Sequence, residues 1–275
     1  MLTLTWKASI TVPVEAECIT PDNLAGKSAA EIERLPVQHG NRQEPLAKFF
    51  AVHGDVADGE VLLEGDLSRV KWIGASMSRG RITIRGNVGT HVGSEMLGGQ
   101  IVVHGNAGDW VGAEMRGGFI QVHGNAGHQV GAAYRGSRRG MRGGTILIHG
   151  SAGNEIGGTM RRGFIAIGGE SGDFAGVSMI AGTIFLFGSP GIRTGAGMKR
   201  GTIALFGHGT QRNEPNLLPT FRFDCEYHPV FVRLFLSRLR QTGFPLADQV
   251  WNAPYRRYSG DVVALGQGEI LTRVP

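Results

Sequence analysis

From Gly80 to Gly207 the chain repeats one pattern of apolar and variable positions. Pairs of branched aliphatic residues flank a variable residue: Ile82/Ile84, Ile101/Val103, Ile120/Val122, Ile146/Ile148, Ile165/Ile167, Ile184/Leu186 and Ile203/Leu205. Period two predicts short strands with these side chains on one buried face. A glycine closes each strand (Gly86, Gly105, Gly124, Gly150, Gly169, Gly188, Gly207), and further glycines follow at fixed offsets, as at Gly108 and Gly112. A third inward position lies between those two: Val92, Val111, Val130, Ile156, Ala175 and Thr194. The pattern restarts at Gly80, Gly99, Gly118, Gly144, Gly163, Gly182 and Gly201, at a constant spacing except for a longer step between Gly118 and Gly144. A looser unit starts at Gly59.

A 19-residue unit of short strands and glycine corners has no partner for its apolar face until identical units stack on it. The predicted fold is all-β: a right-handed parallel β-helix of about seven coils on a 19-residue repeat, with a small α/β N-terminal segment and a C-terminal helix. Stacking at roughly 4.8 Å turns equivalent residues into ladders. Met77, Met96, Met115, Met141, Met160, Met179 and Met198 fit one such column, with Tyr134 competing for the place of Met141 in the long unit. The predicted division is 1–48 (strand and helix), 49–210 (repeats) and 211–275 (helix and tail). In the first part Thr3 to Thr11 alternates weakly, and Ser28-Ala29-Ala30-Glu31 is a capping box for a short helix ending near Pro36. In the last, Pro229 to Arg240 reads as an amphipathic helix with Val230, Phe231, Leu234, Phe235 and Leu239 on its apolar face. It is expected to cap the open end of the stack or to dock a partner.

Composition fits this reading. Glycine makes up 45 of 275 residues, against roughly 7% in an ordinary protein, with no collagen period. Such an excess implies many tight turns. Cys18 and Cys225 stand alone without a CxxC motif, no signal-like N-terminal run is present, and no stretch approaches the ~20 apolar residues of a membrane span. A cytoplasmic protein is expected. The net charge of +5 suits an acidic partner, while the aromatic content of 8% gives no base-stacking theme, so nucleic acid is not expected.

Several motifs have bland explanations. Ala25-Gly26-Lys27-Ser28 resembles the end of a phosphate-binding loop, but Pro21 occupies the required glycine position. Gly105-Asn106-Ala107-Gly108 recurs in every unit and leads into no helix, unlike a dinucleotide fingerprint. His104, His123 and His149 share a column; stacked side chains point the same way rather than converging on a metal. No nucleophile–base set stands out, so neither catalytic nor metal-ligating residues are assigned. Basic residues are more distinctive. Arg79, Arg116, Arg142, Arg161, Arg162, Lys199 and Arg200 precede the strand-opening glycines, and the insertion in the long unit adds Arg135, Arg138 and Arg139. They form either a solvated or salt-bridged edge, or a groove for an extended polyanion such as a polycarboxylate.

The run from Gly80 to Gly207 resembles the GXGXXXG β-helix shared by the C-terminal domain of the glutamate synthase large subunit and the C subunit of formylmethanofuran dehydrogenase. The opening Pro21-Asp22-Asn23-Leu24-Ala25-Gly26-Lys27-Ser28, the segment Arg138-Arg139-Gly140-Met141, Leu218-Pro219-Thr220-Phe221 and Tyr258-Ser259-Gly260-Asp261 resemble the stand-alone subunit. That resemblance implies a non-catalytic scaffold. Its partners would be a formyltransferase subunit and a zinc-dependent, amidohydrolase-like subunit. The cofactor would be methanofuran or methylofuran, bearing a polyglutamate tail, and formyl-tetrahydromethanopterin the formyl donor. Arg116, Arg135, Arg138, Arg139, Arg142, Arg161, Arg162, Lys199 and Arg200 would bind that tail. Two other readings stay open: the C subunit of a molybdenum or tungsten formylmethanofuran dehydrogenase, and a stand-alone acyltransferase.

Overall fold

The alternating runs become strands because each presents one aliphatic face to a common interior. A computed structural model describes residues 1–207 and 217–274. The strands in chain order are β1 (Leu2–Trp6), β2 (Val14–Glu15), β3 (Pro36–His39), β4 (Arg42–Pro45), β5 (Phe50–His53), β6 (Glu60–Glu64), β7 (Val70–Lys71), β8 (Arg81–Arg85) and β9 (Gln100–Val103). They continue with β10 (Phe119–Val122), β11 (Arg142–Ile148), β12 (Arg162–Ile167), β13 (Thr183–Leu186), β14 (Arg200–Leu205), β15 (Arg222–Tyr227), β16 (Tyr255–Gly260) and β17 (Gln267–Arg273). The helices are α1 (Pro21–Leu24), α2 (Ala29–Glu33) and α3 (Val230–Gln241).

One thirteen-stranded sheet dominates, in the order β15-β16-β17-β14-β13-β12-β11-β10-β9-β8-β6-β1-β5. From β6 to β14 every pair is parallel, and the register follows the spacing read from the sequence. Ile101 faces Ile120 across a regular unit, Ile120 faces Ile146 across the long one, and Val61 faces Ile82 across the loose one. A second line of single bridges runs Leu67-Val88-Ala107-Ala126-Ala152-Ser171. The paired aliphatic positions of the seven units are at most 1% exposed, and the third inward positions at most 3%. All seven methionines of the predicted column are fully buried; Met141 takes the disputed place, and Tyr134 folds outward.

Glycine does two different jobs here. At the later corner positions Gly112, Gly131 and Gly157, φ is +61°, +67° and +65°, and a Cβ would strike the Cδ1 of Ile146, Ile165 and Ile184, two strands further along the stack. The first strand position is isoleucine in every unit from Ile82 to Ile203, its long branch filling the space a glycine leaves. The strand-opening glycines are crowded differently. A Cβ on Gly118 would lie 2.8 Å from the Met96 methyl and 2.9 Å from the Gly99 carbonyl oxygen, at φ +91°.

Polar side chains run between units at the outer corners. The Asn106 backbone N–H donates to Asn87 Oδ1 at 2.9 Å, Asn125 N–H to Asn106 Oδ1 and Ser151 N–H to Asn125 Oδ1, both at 2.8 Å. A parallel line joins Asp109, His128, Asn154, Asp173 and Ile192. These bonds satisfy backbone donors that the short strands leave unpaired.

The flanks depart from expectation more. The weak N-terminal alternation shortens to β1, which lies inside the large sheet between β5 and β6. The Ser28 capping box is present and starts α2. The apolar face of α3 is rotated: Val232, Leu236 and Leu239 are buried, whereas Val230 and Leu234 are 72% and 66% exposed. Moreover α3 caps no end. It lies on the outer face of the sheet, against Leu147, Phe164, Ala166, Phe185 and Phe206. The last unit is covered by the tail, where Gly268-Glu269-Ile270-Leu271-Thr272 imitates a repeat: β17 pairs with β14, with Ile203 opposite Ile270. Asp261 completes this seal. Burial raises its pKa, but N–H groups of Gly197 (2.9 Å) and Val263 (3.0 Å) outweigh that and hold its carboxyl below the usual range. The end of the partial unit after Gly207, and the expected boundary at 210, lie outside the described residues.

Gly118→Ala should cost about 3 kcal/mol, combining a left-handed backbone with overpacking. Gly136, at φ +87° but with nothing within 4 Å of a Cβ, should cost about 1 kcal/mol as alanine. Thermal denaturation of the two variants checks the difference; equal losses would show that stacking distance is not the constraint.

Candidate functional site

From Met96 onward, the residue after each buried methionine is held in place by the preceding unit. Arg116 N–H donates to the Met96 carbonyl (2.8 Å), Arg142 N–H to Met115 (2.6 Å), Arg161 N–H to Met141 (2.8 Å) and Lys199 N–H to Met179 (2.8 Å). Leu97 and Ile180 fill the same column through Met77 and Met160. The structure thus brings Arg116, Arg142 and Arg161 onto three consecutive units, roughly 5 Å apart. Ile180 separates Lys199 from them. Arg162 and Arg200 begin β12 and β14, with Ala181 between them in the stack, and Arg200 Nε donates to Gln267 Oε1 at 3.0 Å.

Side by side, two such cations repel by about 1 kcal/mol in water and more where water is excluded. One carboxylate offsets this: Glu95 Oε2 lies 3.5 Å from Arg116 Nη2, both groups near half exposure. Among the described residues Arg135, Arg138, Arg139, Arg161, Arg162 and Lys199 have no ion-pair partner. Arg142 Nε is buried and has no hydrogen-bond acceptor. An excess of donors of this kind suits carboxylates or phosphates.

The insertion stands beside this column. Its stems are pinned to the following unit by Ala133 N–H to the Gly158 carbonyl and Gly140 N–H to the Thr159 carbonyl, each at 3.1 Å. Between them Arg135, Arg138 and Arg139 are exposed. Only Gly140 and Met141 lie between Arg139 and Arg142, so at most about 10 Å of chain separates them. Under the loop is a cleft of about 300 Å³ with a mixed lining, bordered by Tyr134, Arg135, Glu155, Thr159, Val177 and Ser178.

Sequence reasoning missed what holds the loop. Trp72, His91 and Trp110 occupy one column at left-handed backbone positions, with φ of 67°, 67° and 66°. Trp72 and His91 stack at 4.1 Å, and Trp110 continues the stack at 6.1 Å. The Tyr134 ring tilts across all three, at 6.0, 5.6 and 5.0 Å. Its hydroxyl donates to the buried Ser94 Oγ at 2.8 Å and meets His91 Nδ1 at 3.1 Å. Burial pushes the Tyr134 phenol up to about 12. Burial, then the nearby Lys71 charge, lowers His91 to about 4. The signal was present in the regular spacing of Trp72, His91 and Trp110, one repeat apart, but a long-range contact from an insertion has no periodicity to reveal it.

The histidine column is packing. His104 stacks on His123 at 5.2 Å, and His149 meets Phe244 edge-on. Gln121 Nε2 approaches His149 Nε2 at 2.8 Å and donates to the Thr242 carbonyl at 3.1 Å. Burial lowers His149 to about 4. Among the described residues no group of three His, Cys, Asp or Glu is placed to hold a metal ion, and no helix is long and apolar enough to cross a membrane.

No family model matches the chain. It is 46% identical over 90 residues to the C subunit of the molybdenum-containing formylmethanofuran dehydrogenase 1 of Methanosarcina barkeri, which is 31% of this chain and 30% of that protein. It is 45% identical over 93 residues to the C subunit of the tungsten-containing formylmethanofuran dehydrogenase 2 of Methanothermobacter wolfeii, 32% of this chain and 34% of that one. The matched stretch is thus about a third of these curated relatives. A chain of the formyltransferase/hydrolase complex (FhcABCD) of Methylorubrum extorquens, crystallised with methylofuran, superposes with a TM-score of 0.87 and 37% identity, over 98% of both chains.

Tyr134→Phe should loosen the loop by about 1 kcal/mol through the lost hydroxyl contacts. Tryptic cleavage at Arg135, Arg138 and Arg139 should accelerate relative to the parent chain, and an unchanged rate would remove the latch role. The parent loop should also respond to acid. A folded-state His91 near 4, below the ordinary 6.5, means the unfolded state binds the proton first. Its contribution is complete above the ordinary value, declines as the pH falls to about 4 and is flat below. The parent's cleavage rate, divided at each pH by that of His91→Gln to cancel the protease's own pH profile, should rise as the pH falls from 6.5 towards about 4.

Proposed function

The chain belongs to the family of the formylmethanofuran dehydrogenase C subunits and the matching chain of the formyltransferase/hydrolase complex, and from that premise we propose that it is the non-catalytic scaffold of such a complex. In this reading the complex transfers a formyl group from formyl-tetrahydromethanopterin to a methanofuran-type cofactor and releases formate. A formyltransferase subunit and an amidohydrolase-like subunit carry the chemistry. The scaffold is a right-handed parallel β-helix of about seven coils on a repeat of short stacked strands, with 1–48 and 211–275 as flanking segments around 49–210. The observation that carries the assignment is the match over 98% of both chains to a component of a complex crystallised with methylofuran. The dehydrogenase alternative, the C subunit of a molybdenum- or tungsten-containing enzyme, is favoured by the higher identity to those subunits, but over a third of their length.

The basic edge is assigned to the polyglutamate tail of the cofactor: Arg116, Arg142, Arg161, Arg162, Lys199 and Arg200 along the stack, and Arg135, Arg138 and Arg139 on the loop. The donor set supports this. Arginine forks match carboxylates in pairs, the column repeats at a spacing an extended chain can follow, and the buried Arg142 Nε lacks an acceptor. A flexible polycarboxylate bound in this way would be retained by many weak contacts and released by salt.

Replacing Arg138, Arg139 and Arg142 together by glutamine should lower cofactor content of the purified complex several-fold and flatten its dependence on salt. Mass spectrometry of the released cofactor measures this. Unchanged content in an intact complex would exclude the edge as the tail site.

A further inference from the structure

The outer face of α3 carries a surface that neither the basic edge nor the interior explains. Its buried stripe, Val232, Leu236 and Leu239, already lies on the sheet. A second stripe faces outward: Val230 and Leu234, 72% and 66% exposed, followed one turn on by Arg238. This stripe runs into an apolar cleft of about 220 Å³ between α3 and the sheet, walled by Phe119, Leu147, Phe164, Phe235 and Leu239, with Arg238 at its rim. The helix holds three arginines and no acid. Arg233 is bound to Asn252 Oδ1 at 2.7 Å, and Arg240 pairs with Asp248 and lies over the Trp251 ring. The Arg238 side chain alone of the three has no ion-pair or hydrogen-bond partner among the described residues.

We propose that this stripe and cleft form a docking surface for an acidic partner subunit, which seats one large apolar side chain in the cleft and sets a carboxylate on Arg238. Charge complementarity selects this occupant. A second copy of the chain would bring one arginine-rich helix against another. A membrane would find only two outward aliphatic side chains, because the main apolar face of the helix is buried on the sheet. The arrangement matches how interfaces concentrate affinity, with an aromatic-lined pocket and a charged group at its edge. The inference rests on the scaffold reading above and names where one partner binds.

The test uses the full chain, Leu234→Asp and Arg238→Glu, each titrated separately with purified formyltransferase and amidohydrolase-like subunits. Leu234 and Arg238 point away from the core, so both variants should melt with the parent. One subunit should bind the parent chain, and each variant should bind it roughly tenfold more weakly or worse. Reversing the partner's carboxylate should restore binding to Arg238→Glu. Equal affinity of parent and variants overturns this surface while leaving the scaffold reading intact. Binding of neither subunit to the parent chain overturns both. Binding of the parent, lost in Leu234→Asp, to anionic lipid vesicles would assign the surface to a membrane instead.

Discussion

The closeness of successive backbones governs everything else in this molecule. At about 4.8 Å between units, amides of one unit bond directly to carbonyls of the last. Phe119 N–H donates to the Gly99 carbonyl, and a Cβ on Gly118 would strike that same oxygen. A side chain at those points is excluded. The exclusion explains why glycine recurs at fixed offsets, why methionine methyls fill the space beside the strand-opening glycines, and why isoleucine holds the first strand position. Every column becomes a continuous contact, so an error in one unit is felt by two neighbours.

The same closeness makes surface columns cooperative or antagonistic according to their chemistry. Asparagine and aspartate columns are favourable, since each side chain accepts from the next backbone. The aromatic columns stack, both at the Trp72–His91–Trp110 corner and where Phe187 and Phe206 lie 4.4 Å apart. The Arg116–Arg142–Arg161 column is the exception, since like charges at that spacing repel. A fold that tolerates such a column either leaves it to solvent and salt or supplies anions, and the unpaired loop arginines beside it deepen the excess. A polycarboxylate at this edge would satisfy both the charge and the proposed role.

A stack also has a problem at its ends and on its outer face, and the flanking segments answer it. At one end β1 and β5 extend the sheet; at the other β17, β16 and β15 do so, with Asp261 accepting the Gly197 N–H that has no further unit to meet. On the outer face α3 covers a largely aromatic patch that includes Leu147, Phe164, Phe185 and Phe206, and beside it Gln121 turns polar and bonds to the helix terminus. The insertion is held by a comparable device, Tyr134 clasping three aromatic side chains of earlier units.

By itself the sequence determined the repeat, its strand faces, its buried methionine column and its register, including the longer steps that follow Gly59 and Gly118, because backbone periodicity is local and each unit repeats it. It also carried the family likeness and located the basic residues just ahead of the strand-opening glycines. The tertiary structure decided what periodicity cannot encode. It placed α3 on the sheet with Val232 and Leu236 inward rather than Val230 and Leu234, since which face of a helix is buried depends on the surface it meets. It made Gly268 to Thr272 a further rung, although α3 and two strands intervene in sequence between that segment and its partner β14. And it chose Met141 over Tyr134 for the interior, because a straight thioether fits beside the glycine of the next unit and a phenol finds its partners only outside.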